Sequence, residues 1–214
     1  MTADDRITLY YSPQTRATGS RVLLEELGAP YDLHILNMKA GEQRKPAFLA
    51  VNPLGKVPTV RHRGQIVTEQ VAIFIYLADL FPQAGLTPTL DDPLRGPYLR
   101  WIAYCGSSFE PAVIDRFMKR EPAPVTQSPY ADYDTMLDAL EQQLAKGPYL
   151  LGERMTAADI LCGIALNWTM TFGIVPRRDV FTRYAERITS RPAFQRVTAA
   201  DAELAALHGA AAGG

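Results

Sequence analysis

The chain has 214 residues, 47% of them hydrophobic, with 22 Lys and Arg set against 23 Asp and Glu. That length holds one large or two small domains, and a near-neutral charge without long basic runs argues against a nucleic-acid partner. The apolar stretches are far too short to span a bilayer, and the polar start at residues 1–7 lacks the apolar segment of a secretory signal, so a cytoplasmic protein is expected.

Ile7-Thr8-Leu9-Tyr10-Tyr11 is a short run of branched and aromatic residues and reads as a strand. Residues 12–19 read as a polar loop and residues 20–27 as an amphipathic helix closed by Gly28. Tyr31 to Leu36 alternates as a second strand, and a weak helical segment follows over 42–49. Val57 precedes Pro58 and is pushed to extended backbone, and Pro58 opens an apolar run, which suits the first residue of a strand. Two short strands joined across Arg63-Gly64 make a hairpin. Thr68 then reads as the N-cap of a helix carrying Val71, Ile73, Phe74, Leu77 and Ala78 at helical spacing. The order β-α-β-α-β-β-α is that of a thioredoxin-like α/β domain, and right-handed crossovers leave few other topologies.

Residues 81–97 carry Pro82, Gly85, Pro88, Pro93 and Pro97, a density that breaks helices and marks a linker. The pattern beyond is helical almost to the end: one long amphipathic stretch over 98–117 with Pro111 as a kink, and another over 131–144. Cys105 and Cys162 both lie in such segments, so no disulfide framework is implied. Thr156-Ala157-Ala158-Asp159 is a capping box opening a helix that is apolar nearly all round and therefore a buried spine. From Gly209 onward the tail is small residues and is expected to fray.

The stretch over 52–78 is where chemistry concentrates. A helix N-terminus presenting Glu69 and Gln70 beside a proline-led strand suits a small charged ligand, because free N–H groups attract a carboxylate and Glu69 attracts an ammonium. Asn52-Pro53-Leu54-Gly55-Lys56-Val57-Pro58, followed by Thr68-Glu69-Gln70 and Ala72-Ile73, resembles the glutathione-binding half of the cytosolic glutathione transferase family, of the bacterial serine/threonine-loop kind. The capping box and Arg191-Pro192-Ala193-Phe194 resemble its helical half, so that the resemblance runs from about residue 6 to about residue 200. It implies a thioredoxin-like domain over 1–82, a linker over 83–92 and an all-α domain over 93–214 that forms the hydrophobic-substrate pocket. It also implies a cis Val57-Pro58 bond, Val57 pairing through its backbone with the cysteinyl part of glutathione, and Glu69 holding the γ-glutamyl end. Gln70 stands where the family has serine. Lys56 is expected to pair with the glycyl carboxylate, with Lys39 and Arg44 as weaker candidates of the same kind.

The loop after the first strand holds no cysteine, which excludes disulfide exchange by a Cys-x-x-Cys pair. Glutathione brings its own thiol, so the protein must stabilise the thiolate, and a hydroxyl donating to sulfur does so. Counting forward from the strand puts Ser12 or Thr15 at the sulfur; counting back from Ser20-Arg21 puts Tyr10 there, with Arg16 following at a matching distance. The first count is preferred because Tyr10-Tyr11-Ser12-Pro13 resembles bacterial serine-type relatives. Arg16 is either an electrostatic aid to the thiolate or a solvated loop charge. His34, His62 and His208 have no second ligand at metal spacing, and no metal is implied. The second substrate is expected in a cleft between the domains, against Trp101, Tyr104, Ser108, Phe109 and Val113, with Trp168 and Phe172 contributing. That apolar wall suits a hydrophobic electrophile. By resemblance the protein is a homodimer. Two alternatives stay open: a glutathione binder without turnover, and another glutathione-dependent enzyme such as a dehalogenase, lyase, isomerase or peroxidase.

Overall fold

The computed structural model describes residues 6–211. These form two compact units, one reaching to Ala84 and resuming at Pro192, the other comprising Gly85–Arg191.

In the first unit β1 (Ile7–Tyr11), β2 (Tyr31–Ile35), β3 (Thr59–His62) and β4 (Gln65–Val67) make one sheet in the order β2-β1-β3-β4. β2 runs parallel to β1, with Ile7 opposite Tyr31 and Tyr11 opposite Ile35, and a parallel neighbour requires a crossover, which α1 (Ala17–Glu26) supplies. β3 is antiparallel to β1, with Leu9 opposite Val60, and β4 is antiparallel to β3. Arg63 and Gly64 between β3 and β4 have φ of +50° and +72°, the pair of positive angles that a two-residue hairpin turn of matching twist demands. Successive strand residues face opposite ways. The Tyr10 ring therefore lies 5.6 Å from that of Phe48 in α2 (Pro46–Leu49), whereas the Tyr11 hydroxyl reaches Asp201 in the last helix. α1 packs against both α3 (Gln70–Leu80) and that last helix. Leu9, Leu23, Leu24, Val60, Ile73, Phe74 and Leu77 are fully buried and make the core.

The second unit contains α4 (Arg95–Tyr104), α5 (Glu110–Phe117), α6 (Tyr133–Leu144), α7 (Ala157–Thr171) and α8 (Asp179–Thr189). The chain's last helix, α9 (Pro192–Ala211), belongs with the sheet. Two sequence expectations change here. The single helix over 98–117 begins earlier, at Arg95, and is interrupted by a π-helical turn at Cys105–Phe109. Pro111 has no N–H for the carbonyl four residues back, and the turn just ahead of it widens. Cys105 and Cys162 are not separate thiols: the helices that carry them cross with Cα atoms 6.0 Å apart, within bridging range, and a disulfide joins them. α9 extends through Gly209 to Ala211, and the rest of the tail expected to fray lies outside the described residues.

α7 is the spine, with Ile160, Leu161, Cys162 and Leu166 buried along it. Its capping box is present, and the buried Asp159 carboxylate accepts from the N–H groups of Leu150 and Thr156 at 2.8 and 2.7 Å and from the hydroxyls of Thr156 and Tyr184 at 3.0 and 3.1 Å. α7 crosses α8 at Gly163, where a Cβ would fall 2.5 Å from Ile188 Cγ1, so the close crossing needs glycine. No helix among the described residues is long and apolar enough to cross a membrane.

Candidate active site

α1 starts at Ala17, three residues before the expected boundary, with Arg16 as its half-in residue; just ahead of Arg16 the Thr15 hydroxyl oxygen accepts from the Ala17 N–H at 3.2 Å, and its carbonyl accepts from the Thr18 N–H at 3.0 Å. The same hydroxyl donates to the Ser12 carbonyl at 2.7 Å. The loop is thus the short turn 12–16, with buried Ser12, half-buried Thr15 and exposed Arg16 at a helix N-terminus where partial positive charge gathers.

α3 opens at Gln70, so the half-in residue is Glu69 and not Thr68. Glu69 has φ of +62°, a conformation costly for a residue with a Cβ and concentrated at functional sites. The Gln70 side chain donates to the Arg16 carbonyl at 2.9 Å. One glutamine amide therefore joins the start of α3 to the start of α1.

Between α2 and β3 the Val57-Pro58 bond is cis, as the resemblance implies. The preceding loop is built around Asn52, which sequence reading left without a role. Its buried side chain donates to the Lys56 carbonyl at 2.9 Å and to the Thr59 hydroxyl at 3.0 Å, and accepts from the Leu54 N–H at 3.0 Å. Gly55, at φ of +60°, lets the loop approach the Gln43 carbonyl, which a Cβ would meet at 2.7 Å. Lys56 is exposed above this loop, Arg44 donates to the Leu54 carbonyl, and Lys39 is exposed beside Gly209.

Tyr10 lies apart from this turn. Its ring packs 4.8 Å from His34 and beside Phe48, bordering a concavity of about 360 Å³ with Lys45 and Val51. Tyr11 is buried on the opposite face, and burial together with its hydrogen bond to Asp201 pushes its phenol well above the ordinary range. Asp201 also accepts from the Gln14 N–H at 3.1 Å and the Thr18 hydroxyl at 2.6 Å, and lies 3.9 Å from the Arg21 guanidinium. Sequence reading missed it. Its one signal is an acid alone on a small-residue face, at Thr198-Ala199-Ala200-Asp201-Ala202.

In the helical unit the Tyr104 hydroxyl donates to the Met136 carbonyl at 2.6 Å, Ser108 is half-buried, and Phe109, Val113 and Trp101 are buried in that unit's core. Trp168 and Phe172 are exposed with their rings 4.6 Å apart. Phe172 also borders a concavity of about 420 Å³ with Arg116, Phe117, Tyr133 and Ile174, none of which except Phe172 was singled out beforehand. The His62 ring meets the Tyr76 hydroxyl at 2.7 Å. Among the described residues no three His, Cys, Asp or Glu side chains converge on a point where a metal would sit.

A β2-β1-β3-β4 sheet with a cis-proline entering β3, two helix starts beside one another and a separate helical unit define a thioredoxin-like domain accompanied by an all-helical one. The comparisons with known proteins agree. Residues 6–79 match the glutathione S-transferase N-terminal domain, and residues 130–187 match the corresponding C-terminal domain. The chain is 25% identical over 196 residues to glutathione S-transferase GstA of Escherichia coli O157:H7, covering 90% of this chain and 98% of that one. A glutathione transferase structure from Methylococcus capsulatus superposes with a TM-score of 0.76 at 30% identity, over 92% of this chain and 98% of that one. A Sulfitobacter homologue with bound glutathione superposes with a TM-score of 0.73 at 28% identity, over 90% and 97% of the two chains. The chain belongs to the glutathione S-transferase family, and glutathione transfer is the activity that membership carries.

Proposed function

We propose that this chain binds glutathione against the 52–58 loop and the start of α3, and holds its sulfur as the thiolate at Thr15. The Val57 backbone pairs with the cysteinyl part, Glu69 with the ammonium, and Gln70, Lys56 and Lys39 with the polar ends. The observation that carries the reading is the turn before α1: Thr15 sets a hydroxyl at the N-terminus of α1, and Gln70 ties that end to α3. A hydroxyl proton turned from the Ser12 carbonyl to sulfur favours the charged form, and the helix end adds to it. Ser12 supports the turn, and Arg16 contributes positive charge. The thiolate then attacks an electrophilic carbon, so that a C–S bond forms while a leaving group departs with its electron pair, or an acceptor alkene takes up a proton. The chain's share is thiolate stabilisation and positioning of two reactants, without a metal. The electrophile is apolar and meets residues of the Tyr104, Ser108, Phe109 and Val113 wall; the enzyme is a cytoplasmic homodimer.

The test is the glutathione-dependent rate with a model aryl halide. Thr15→Ala lowers kcat/KM by about tenfold or more while glutathione still binds, the scale of losing one donor to a developing or settled anion. Full activity in the Thr15→Ala, Ser12→Ala double variant, or an equal loss in Tyr10→Phe, overturns the assignment of the hydroxyl. A second reading, a glutathione binder without turnover, draws on the Thr15 proton being already donated to Ser12. Calorimetric binding with no product from a broad panel of electrophiles selects it.

A further inference from the structure

The turn that holds Thr15 does not hold itself. Gln14, immediately before Thr15, has φ of +56°, a left-handed conformation costly for glutamine. Its N–H is fixed by an Asp201 oxygen at 3.1 Å, and the same oxygen takes the Thr18 hydroxyl at 2.6 Å, so one carboxylate grips the turn on both sides of Thr15. The other oxygen takes the Tyr11 hydroxyl at the end of β1, and Arg21 of α1 stands 3.9 Å away. Asp201 is 3% exposed, and a carboxylate is kept at such depth by being paired and hydrogen-bonded, as this one is. Nothing in packing α9 against α1 requires a buried charge there. The exposed Arg196–Glu25 pair, at 3.1 Å, already ties those two helices a turn or more away from the loop.

We infer that Asp201 is a positioning residue for the transferase reaction, holding the 12–18 turn so that the Thr15 hydroxyl and the α1 N-terminus are aimed at the glutathione sulfur. The inference rests on the thiolate reading given above. Its sign separates it from a simple charge effect. Deleting a negative charge near a thiolate makes the thiol more acidic, whereas loosening the donors makes it less acidic.

The experiment is a pH titration of the thiolate absorbance of glutathione bound to the purified full chain, paired with steady-state kinetics on an aryl halide. Asp201→Asn keeps the shape and moves the midpoint up by about one pH unit, with kcat down about tenfold below that midpoint and KM for glutathione within about twofold, since one unit corresponds to a factor of ten. Thr18→Val, which removes one of the four partners, moves it the same way by less and serves where Asp201→Asn does not fold. Arg196→Ala weakens the other α9–α1 tie and leaves the midpoint in place. A midpoint that stays or falls in Asp201→Asn and Thr18→Val overturns the inference, as does an equal rise in Arg196→Ala, which would mark general loosening. Wild-type protein whose bound glutathione titrates like the free thiol overturns the thiolate reading itself, and that single trace tells the two failures apart.

Discussion

Replacing Gly163 by alanine sets two effects of opposite sign against each other. In a helix interior alanine is favoured over glycine by about 1 kcal/mol, so on propensity alone the substitution stabilises. At the α7–α8 crossing, however, the new Cβ would lie 2.5 Å from Ile188 Cγ1 and 3.0 Å from Ile188 Cβ. The Cγ1 clash is relieved by a rotamer change, but a Cβ moves only with its backbone, so the two helices must part. Overpacking of that kind costs about 1–3 kcal/mol, and with a fixed atom in the way the upper half of the range applies. The expected net loss is about 1–2 kcal/mol, which in a chain of this size lowers Tm by roughly 3–6 °C. Urea or thermal unfolding followed by circular dichroism reads it, and the partner substitution supplies the check. Ile188→Gly alone opens a cavity and gives up helix propensity, costing about 3–6 kcal/mol, yet in the Gly163→Ala background it removes both clashing carbons and costs at least about 1 kcal/mol less. A Gly163→Ala variant as stable as the parent, or two substitutions that merely add, refutes the crossing geometry.

Asp159→Ala leaves the Leu150 and Thr156 N–H groups and the Tyr184 hydroxyl without their buried acceptor, and its expected cost is about 3–5 kcal/mol; a shift of the urea midpoint worth less than about 1 kcal/mol would show the cluster to be dispensable. Alkaline pH exposes a different weakness. Burial raises the phenols of Tyr11, Tyr104 and Tyr184 above their unfolded value, so their neutral forms favour the fold fully below about pH 10 and that contribution drains away as pH climbs from there towards the folded values. Unfolding free energy measured against pH is expected to be level to about 9.5 and then to decline, less steeply in Tyr104→Phe; a rise above pH 10 contradicts the sign.

Much of the first unit was legible because its signals are local. The branched and aromatic run over 7–11, the alternation over 31–36, the proline entry at Pro58 and the Arg63-Gly64 turn each state their own geometry, and with right-handed crossovers they leave few topologies besides the one observed. The capping box at Thr156 and Asp159 was likewise visible as a spacing. What escaped was set by partners distant in sequence or by a competition between neighbours. α1 starts early, and the Thr15 hydroxyl that takes up its first N–H was lost among polar loop residues. Thr68 looked like a cap by residue type, but the chain instead puts Glu69 in a positive-φ conformation that no propensity predicts. The π-helical turn ahead of Pro111 shifts the phase of the residues after it, which a pattern read at 3.6 residues per turn does not show. The 6.0 Å approach of Cys105 to Cys162 is a property of two crossing helices and not of either sequence segment.

The grip of Asp201 on Tyr11 spans 190 residues, and that distance orders events in time. A ribosome extends a chain at about 5–20 residues per second, so β1 exists for roughly ten to forty seconds before the carboxylate that anchors its end has been made. Once Leu80 has been made, the sheet and helices α1, α2 and α3 have all their own residues, yet the turn after β1 has only its local hydrogen bonds. Closing so long a loop is no great thermodynamic obstacle, because its entropic cost grows only logarithmically with length. The first unit to emerge is therefore the last to be completed, and a nascent chain released before α9 is synthesised carries the sheet without the anchor of its turn.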